Sequence, residues 1–328
     1  MKPNNHPELR RSEVVERLPQ ACASELAAVE FLEHQRWGDS PCCLHCGSVN
    51  VYKMLGRSGE RNKRFLWRCR DCGKQYTVRV GTVYEESRIE LRHWCYTLWR
   101  ACTSKKGVSA REIQRQTQLS YKSALFLLHR IRHAMDENKG LLTGTVEVDE
   151  AFLSGKTTMA KRAEKKQTVM ALVERGGNAK TRVVADVTAK TLQDTLVSLV
   201  DPKANLMTDG RTTYRALGQM FASHQSVKHS AGQYVNGEVH VNTVESYVSL
   251  VKRSLTGIYH AVSKEHLHRY LAEREFTYNH RRQCDGERVA ALIHAAEGKR
   301  LVYKRNHENP TGTEAQGHDG AKARTPNN

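Results

Sequence analysis

The chain has 328 residues, enough for about two domains and a core of its own, which excludes a small disulfide-stapled fold. Its 52 Lys and Arg against 35 Asp and Glu leave a formal net charge of +17, which favours a polyanionic partner, nucleic acid first, over a small neutral metabolite. No apolar run approaches the roughly 18 to 20 residues that span a bilayer and the start, MKPNNHPELRRSE, lacks the apolar centre of a secretion signal, so the expectation is a cytoplasmic protein without a membrane partner.

Residues 1–40 form a lead-in that begins polar and then sets AAVEFLEHQRW at helical spacing between Ser24 and Trp37, an entry helix. Residues 41–86 are cysteine-rich and strand-like. Cys43 and Cys46 form one CxxC pair, Cys69 and Cys72 a second, with 22 residues between Cys46 and Cys69. Two such pairs suit a zinc ribbon with four cysteines around a tetrahedral ion, and the zinc is structural because four protein ligands leave no open position. Gly47 and Gly73 follow the pairs where a knuckle calls for positive φ. Cys42 competes with Cys43 but gives the longer CxxxC spacing, while Cys22, Cys95, Cys102 and Cys284 read as core or surface thiols. Arg57, Arg61, Lys63, Arg64, Arg68 and Arg70 surround the ribbon, either as phosphate contacts, with Arg64 and Arg68 as candidates, or as a solvated basic loop.

Residues 87–140 read as helices, RHWCYTLWRAC first. Ser109-Ala110-Arg111-Glu112 fits a capping box, and TQLS supplies a turn with Ser120 capping the next helix. The pair resembles a helix-turn-helix: Ala124, Leu127, Leu128 and Ile131 seat the second helix, while Tyr121, Lys122 and Ser123 stand at the exposed start that enters a major groove. The plainer alternative is a scaffold hairpin.

From residue 144 to 295, strands alternate with helices. TVEVD puts Val146 and Val148 on one face, Glu147 and Asp149 on the other. QTVMALVERGG and TRVVADV pair around Gly176 and Gly177, TLQDTLVSLV is helical, and NLMTDG is a strand stopped by Asp209-Gly210. Three strands, a helix and a strand make the order of an α/β ribonuclease H-like mixed sheet flanked by helices, in which the first and fourth strands adjoin and bring Asp149 to Asp209. NTVESYVSLVKR adds a helix with Val244, Tyr247, Val248, Val251 and Leu255 in one stripe, Glu245, Ser249 and Lys252 along another, and Arg253 beside Lys252 as a second cation. Three clustered carboxylates repel one another unless cations neutralise them, and their hard oxygens suit Mg²⁺ or Mn²⁺. Two such ions about 3.5 to 4 Å apart serve phosphodiester displacement. Read singly, Asn242 to Glu245 is a helix cap with a back-bonding Glu, and Asp209-Gly210 a turn. Gly155-Lys156-Thr157 looks like the end of a phosphate-binding loop, but Glu150 stands where that motif needs glycine, and Tyr259 reads as a packing residue. Residues 299–328 are polar and poor in aromatics, a tail expected to be disordered.

The run from Cys43 to Glu85, ending in RCRDCGKQYTVRVGTVYE, followed by TVEVDEAFLSGK, TDG and HVNTVESYVSLVKR, resembles bacterial insertion-sequence transposases of the ISXO type. The resemblance spans about residues 20–295 and implies a zinc ribbon joined to a DDE domain of ribonuclease H-like fold. It implies that Asp149, Asp209 and Glu245 are a metal-binding acidic triad and that Lys252 touches DNA near the cleaved bond. Some relatives carry asparagine in the third catalytic place, which makes Asn242 the alternative; a carboxylate binds a hard cation better than an amide and favours Glu245. Members often carry tryptophan just after the Glu motif, where this chain has Tyr247-Val248. The activity implied is metal-dependent cleavage at the inverted-repeat ends of a mobile element and transfer of the freed 3′-hydroxyl to target DNA, without a covalent protein–DNA intermediate. Pairing two ends implies a homo-oligomer on DNA, associated with the nucleoid when bound. The competing readings are a DNA-binding regulator derived from a transposase, and a nuclease or resolvase that cuts without joining.

Overall fold

Helix starts earlier than the polar lead-in implies. In the computed structural model, which describes residues 13–137, 139–153, 167–227 and 235–302, α1 spans Glu13–Ala23 and α2 Glu25–Trp37. Val14, Leu18 and Ala21 recur at steps of four and three and are buried, while Glu13 and Glu16 in the first turn meet the positive end of the helix dipole. The lead-in therefore holds two helices, and Ser24 caps the second, its Oγ accepting from the Ala27 N–H at 3.2 Å.

Three further helices follow the ribbon: α3 (Leu91–Thr103), α4 (Ala110–Thr117) and α5 (Tyr121–Ala134). Ser109 and Ser120 cap α4 and α5, and Gln118 makes the turn between them in the left-handed region at φ 59°. Trp94, Leu98, Ile113, Leu127 and Ile131 fill one core with α1 and α2. The last described helix, α10 (Asp285–Ala295), completes that core through Val289, Leu292 and Ile293, although in sequence it trails the sheet segment. The ribbon strands β1 (Val51–Lys53), β2 (Trp67–Cys69) and β3 (Gln75–Tyr76) pair antiparallel. Trp67 and Tyr76 stack beneath Trp37 of α2. Buried Glu33 of α2 accepts from Trp67 Nε1 at 2.7 Å and from both terminal nitrogens of Arg61 at 2.9 and 2.7 Å. Arg61, read from sequence as part of the basic surround, is thus withdrawn from the surface because a buried carboxylate needs a partner.

The second layer is a five-stranded mixed sheet in the order β6-β5-β4-β7-β8. Its strands are β4 (Thr145–Leu153), β5 (Gln167–Glu174), β6 (Ala179–Val184), β7 (Asn205–Asp209) and β8 (Ser223–Val227). β4, β5 and β6 are antiparallel; β4, β7 and β8 are parallel. This is the ribonuclease H-like arrangement, with β8 an edge strand that the sequence reading did not include. α6 (Ala189–Leu199) covers one face, setting Leu192 and Leu196 on Val146, Val148 and Leu206. α7 (Thr213–Leu217) follows β7, while α8 (Asn242–Ser254) and α9 (Leu267–Asn279) cover the other face with Val244, Tyr247, Val248 and Leu271.

The two layers are joined through a buried ion pair. Arg132 of α5 donates from Nε to Glu273 of α9 at 2.7 Å, with both side chains at most 2% exposed. The rings of Tyr259 and Tyr270 flank the guanidinium at 5.0 and 4.0 Å. Burial opposes ionisation of Glu273, but Arg132 and Arg274 hold its carboxyl below the ordinary range. Tyr259 is a packing residue, and Gly107, at φ 96°, faces its hydroxyl with no room for a Cβ. Lys299 donates to the carbonyls of Ala134 and Asp136 at 2.7 and 2.6 Å, tying the chain back to α5. Gly155-Lys156-Thr157 and the rest of the polar tail from residue 303 lie outside the described residues. Among the described residues no helix is long and apolar enough to cross a membrane.

Candidate active site

The four cysteines converge: the Sγ atoms of Cys43, Cys46, Cys69 and Cys72 all lie within 4.8 Å of one another. Cys43 stands 3.6 Å from Cys72 and Cys46 3.7 Å from Cys69. A tetrahedron with Zn–S bonds of about 2.3 Å sets its sulfurs about 3.8 Å apart, close to the two separations given, so the quartet fits structural zinc. Gly47 at φ 76° and Gly73 at φ 68° turn the two knuckles, their N–H groups donating to the carbonyls of Cys43 and Cys69. Burial opposes ionisation of Cys43, but the N–H groups of His45 and Cys46 and the thiols around it outweigh burial and lower its pKa to about 7. Cys42 is not among the converging sulfurs.

The carboxylates are brought together by strand order. β4 and β7 run parallel with Glu147 opposite Met207, so Asp149 and Asp209 stand two residues further along, on the face that Ala151 and Met207 share with α8. Glu245 is half-buried in the first turn of α8. The Asp149 carboxyl is pushed up to about 6, first by burial and then by the charges of Glu150, Asp209 and Glu245. The three acids are therefore within electrostatic reach of one another, yet among the described residues only the cysteines form a converged group of three or more metal-ligating side chains.

The surroundings of each acid are specific. The Arg211 N–H donates to Asp209 Oδ1 at 3.3 Å, fixing the turn after β7. Glu150 looks to the opposite face of the sheet, where it accepts from the Tyr214 hydroxyl and lies 3.5 Å from Arg211; burial raises its pKa. Val241, not Asn242, occupies the N-cap position of α8 and makes no side-chain capping hydrogen bond, so Asn242 is not the cap of this helix. Asn242 is exposed. Lys252 and Arg253 are exposed about two turns from Glu245, roughly 10 Å along the axis.

Sequence reasoning missed Glu147. It is fully buried, and its carboxylate receives the N–H groups of Thr243 and Val244 at 2.7 and 3.0 Å, the Thr243 hydroxyl at 2.9 Å and Arg175 Nε at 2.6 Å. Alternation along TVEVD put Glu147 on the Asp149 face, which was the one signal available. The remaining sequence candidates lie in the other layers. In the helical layer, Tyr121 and Lys122 are exposed at the start of α5, with the Arg111 guanidinium 4.5 Å from the Tyr121 ring. The Ser123 hydroxyl is bound within the cap, 2.9 Å from Ser120 Oγ. Arg64 and Arg68 are exposed on the ribbon.

Residues 141–279 match the ISXO2-like transposase domain, and residues 23–75 match the transposase zinc-ribbon domain. Over 267 residues the chain is 30% identical to a protein of Halobacterium salinarum described as an uncharacterized protein in transposable element ISH50, an alignment covering 76% of this chain and 88% of that relative. The chain belongs to the ISXO2-like transposases. In this transposase the ribbon match takes in all four converging cysteines, and the domain match takes in Asp149, Asp209, Glu245 and Lys252 and ends with α9. Among solved structures the chain is similar to a chain in the cryo-EM structure of a simian T-cell lymphotropic virus intasome in complex with PP2A regulatory subunit B56 gamma. Identity is 14% and TM-score 0.30, and the likeness covers 52% of this chain and 65% of the other.

Proposed function

We propose that this transposase binds the inverted-repeat ends of its own insertion sequence and catalyses strand cleavage and strand transfer at Asp149, Asp209 and Glu245. The observation that carries the reading is the placement of half-buried Asp149 on β4 beside the parallel strand that ends in Asp209, with Glu245 in the first turn of α8 packed on the same face; burial and the neighbouring carboxylates raise the Asp149 pKa. Carboxylates are crowded in this way where a cation is to be bound. Their hard oxygens fit Mg²⁺ or Mn²⁺, and a pair of these ions supplies activation of the attacking oxygen and stabilisation of the leaving one.

The chain's own residues do the rest. Asp149 and Asp209, on adjacent strands, hold the ions from the sheet; Glu245 closes the set from α8, in preference to exposed Asn242. Lys252 and Arg253 receive the phosphates flanking the cut. Tyr121 and Lys122 at the start of α5, with Arg64 and Arg68 on the ribbon, bind the end sequence, and the zinc is purely structural. In this organisation residues 41–86 and 87–140 recognise DNA and the segment from 144 onward cuts and joins it. Two ends must be held at once, so the working form is a homo-oligomer on DNA, at the nucleoid.

The test is purified protein with Mg²⁺ and DNA carrying the inverted repeats found beside the coding sequence. The unmodified chain nicks the ends and yields joined products; Asp149→Asn binds the same DNA and does neither. Full joining by Asp149→Asn overturns the triad. Binding without cleavage by the unmodified protein makes it a regulator, and cleavage without joining makes it a nuclease.

A further inference from the structure

The helix that carries Glu245 has no cap of its own. The first N–H groups of an α-helix lack intrahelical partners and concentrate the positive end of its dipole. In α8 these groups are met from outside, by a carboxylate two residues before Asp149 on β4: Glu147 Oε2 accepts from Thr243 and Val244. Its other oxygen accepts from the Thr243 hydroxyl and from Arg175 of the β5–β6 turn. Arg175 in turn donates from Nη1 to the Glu238 carbonyl at 2.8 Å and from Nη2 to the His240 carbonyl at 3.0 Å, binding the segment that leads into α8. His240 Nδ1 lies 3.2 Å from Glu147 without hydrogen-bond geometry. The Glu147 side chain has 0% exposure, and its donors leave it no access to a ligand.

We propose that Glu147 is the positioning residue of the carboxylate site, fixing the start of α8 against β4 so that Glu245 is held over Asp149. The proposal rests on the metal-binding reading given above. Glu147 joins the two elements within two residues of an acid on each: Asp149 follows it on β4, and Glu245 follows Thr243 on α8. Gln at this position keeps the shape but removes the charge and turns an N–H₂ group toward donors. Groups that orient metal ligands typically change metal affinity by 10- to 100-fold when altered.

Mn²⁺ binding to the full-length, zinc-loaded protein, followed by electron paramagnetic resonance, tests this beside zinc content and circular dichroism. Glu147→Gln is expected to bind Mn²⁺ at least 10-fold more weakly than the unmodified chain while retaining its zinc and its helix content. Thr243→Val, which removes one donor and no charge, is expected to weaken binding by a smaller factor in the same direction. A Glu147→Gln protein that is folded, even if less heat-stable, and binds Mn²⁺ as the unmodified chain does overturns the proposal, because a merely structural charge lowers stability alone. If Glu147→Gln does not fold, Thr243→Val decides: weakened Mn²⁺ binding supports the proposal and unchanged binding overturns it. Asp149→Asn separates the two readings. If it loses Mn²⁺ and Glu147→Gln does not, only the positioning role fails; if the unmodified chain binds no Mn²⁺, the metal site fails and the positioning role with it.

Discussion

In the ribbon, two sulfur pairs stand 3.6 and 3.7 Å apart and the four-ligand set is closed. In the sheet, burial first and then the charges of Glu150, Asp209 and Glu245 hold Asp149 toward its protonated form. An unperturbed thiol is neutral at pH 7 and packs as a small apolar group, and Cys43 of the four is drawn down to about 7, whereas carboxylates are anions that repel until a cation sits among them. The ribbon site is built locally, by two glycine-turned knuckles, one before β1 and one between β2 and β3 of the same small sheet. The carboxylates come from three elements distant in sequence, β4, β7 and α8, and Glu147 ties the first of these to the last. A site of the first kind stabilises the fold; one of the second kind leaves repulsion that a cation would relieve.

The largest effect that separates them is loss of the ribbon alone. Cys69→Ser is expected to release the zinc and unfold the ribbon, since zinc binding in such modules is worth on the order of 10 kcal/mol, and to leave the β4–β8 sheet folded. Zinc content by mass spectrometry and the emission of Trp67, which is buried against Tyr76, report it; a variant that keeps both would break the contrast. Next comes the joint between the layers. Arg132→Met leaves buried Glu273 with Arg274, 3.2 Å away, as its remaining ionic partner and is expected to cost about 3 kcal/mol in urea denaturation, with part of the loss recovered in Arg132→Met/Glu273→Leu.

The burial and crowding of Asp149 act with a smaller and opposite sign. Because the folded-state pKa of Asp149 lies above its ordinary 3.8, at about 6, stability is fully present below pH 4 and is lost as pH rises through 6. Asp149→Asn is therefore expected to be more stable than the unmodified chain at pH 8 by about 1–2 kcal/mol without divalent ions, the gain fading toward pH 4. The corresponding thiol-to-serine change in the ribbon stabilises at no pH. The smallest effect belongs to the proposed DNA contacts. Lys122→Ala is expected to reduce the slope of log K against log salt by about 0.9, and Ser123→Ala, whose hydroxyl serves the cap, to leave the slope unchanged; fluorescence anisotropy of a labelled end duplex measures both.

The parts of the fold legible in sequence were those with a strong local period. TVEVD, NLMTDG and the alternation of strands with helices gave β4 to β7, and the paired CxxC spacing gave the ribbon. β8 was missed because SHQSV is a short polar edge strand with one fully buried residue, Val227. α1 was missed although Val14, Leu18 and Ala21 carry the helical period, because a polar start and Pro19 mask it. The allegiance of α10 to the helical core was not readable, since burial of Val289 and Leu292 says that a face is covered and not by what. Arg61 was read as part of a basic surround, and Glu147 only as sharing the strand face of Asp149. Their burial is decided by Glu33 in one case and by Arg175 and the α8 N-terminus in the other, partners at 28 to 97 positions' remove that no window contains.

The most direct measurement is anomalous X-ray diffraction at the manganese edge from crystals of the full chain grown with Mn²⁺. The account predicts manganese bounded by Asp149, Asp209 and Glu245, as one or two peaks about 3.5 to 4 Å apart when DNA is present, with zinc alone at the four cysteines. Manganese elsewhere, or coordinated by Asn242 with Glu245 turned away, would contradict it.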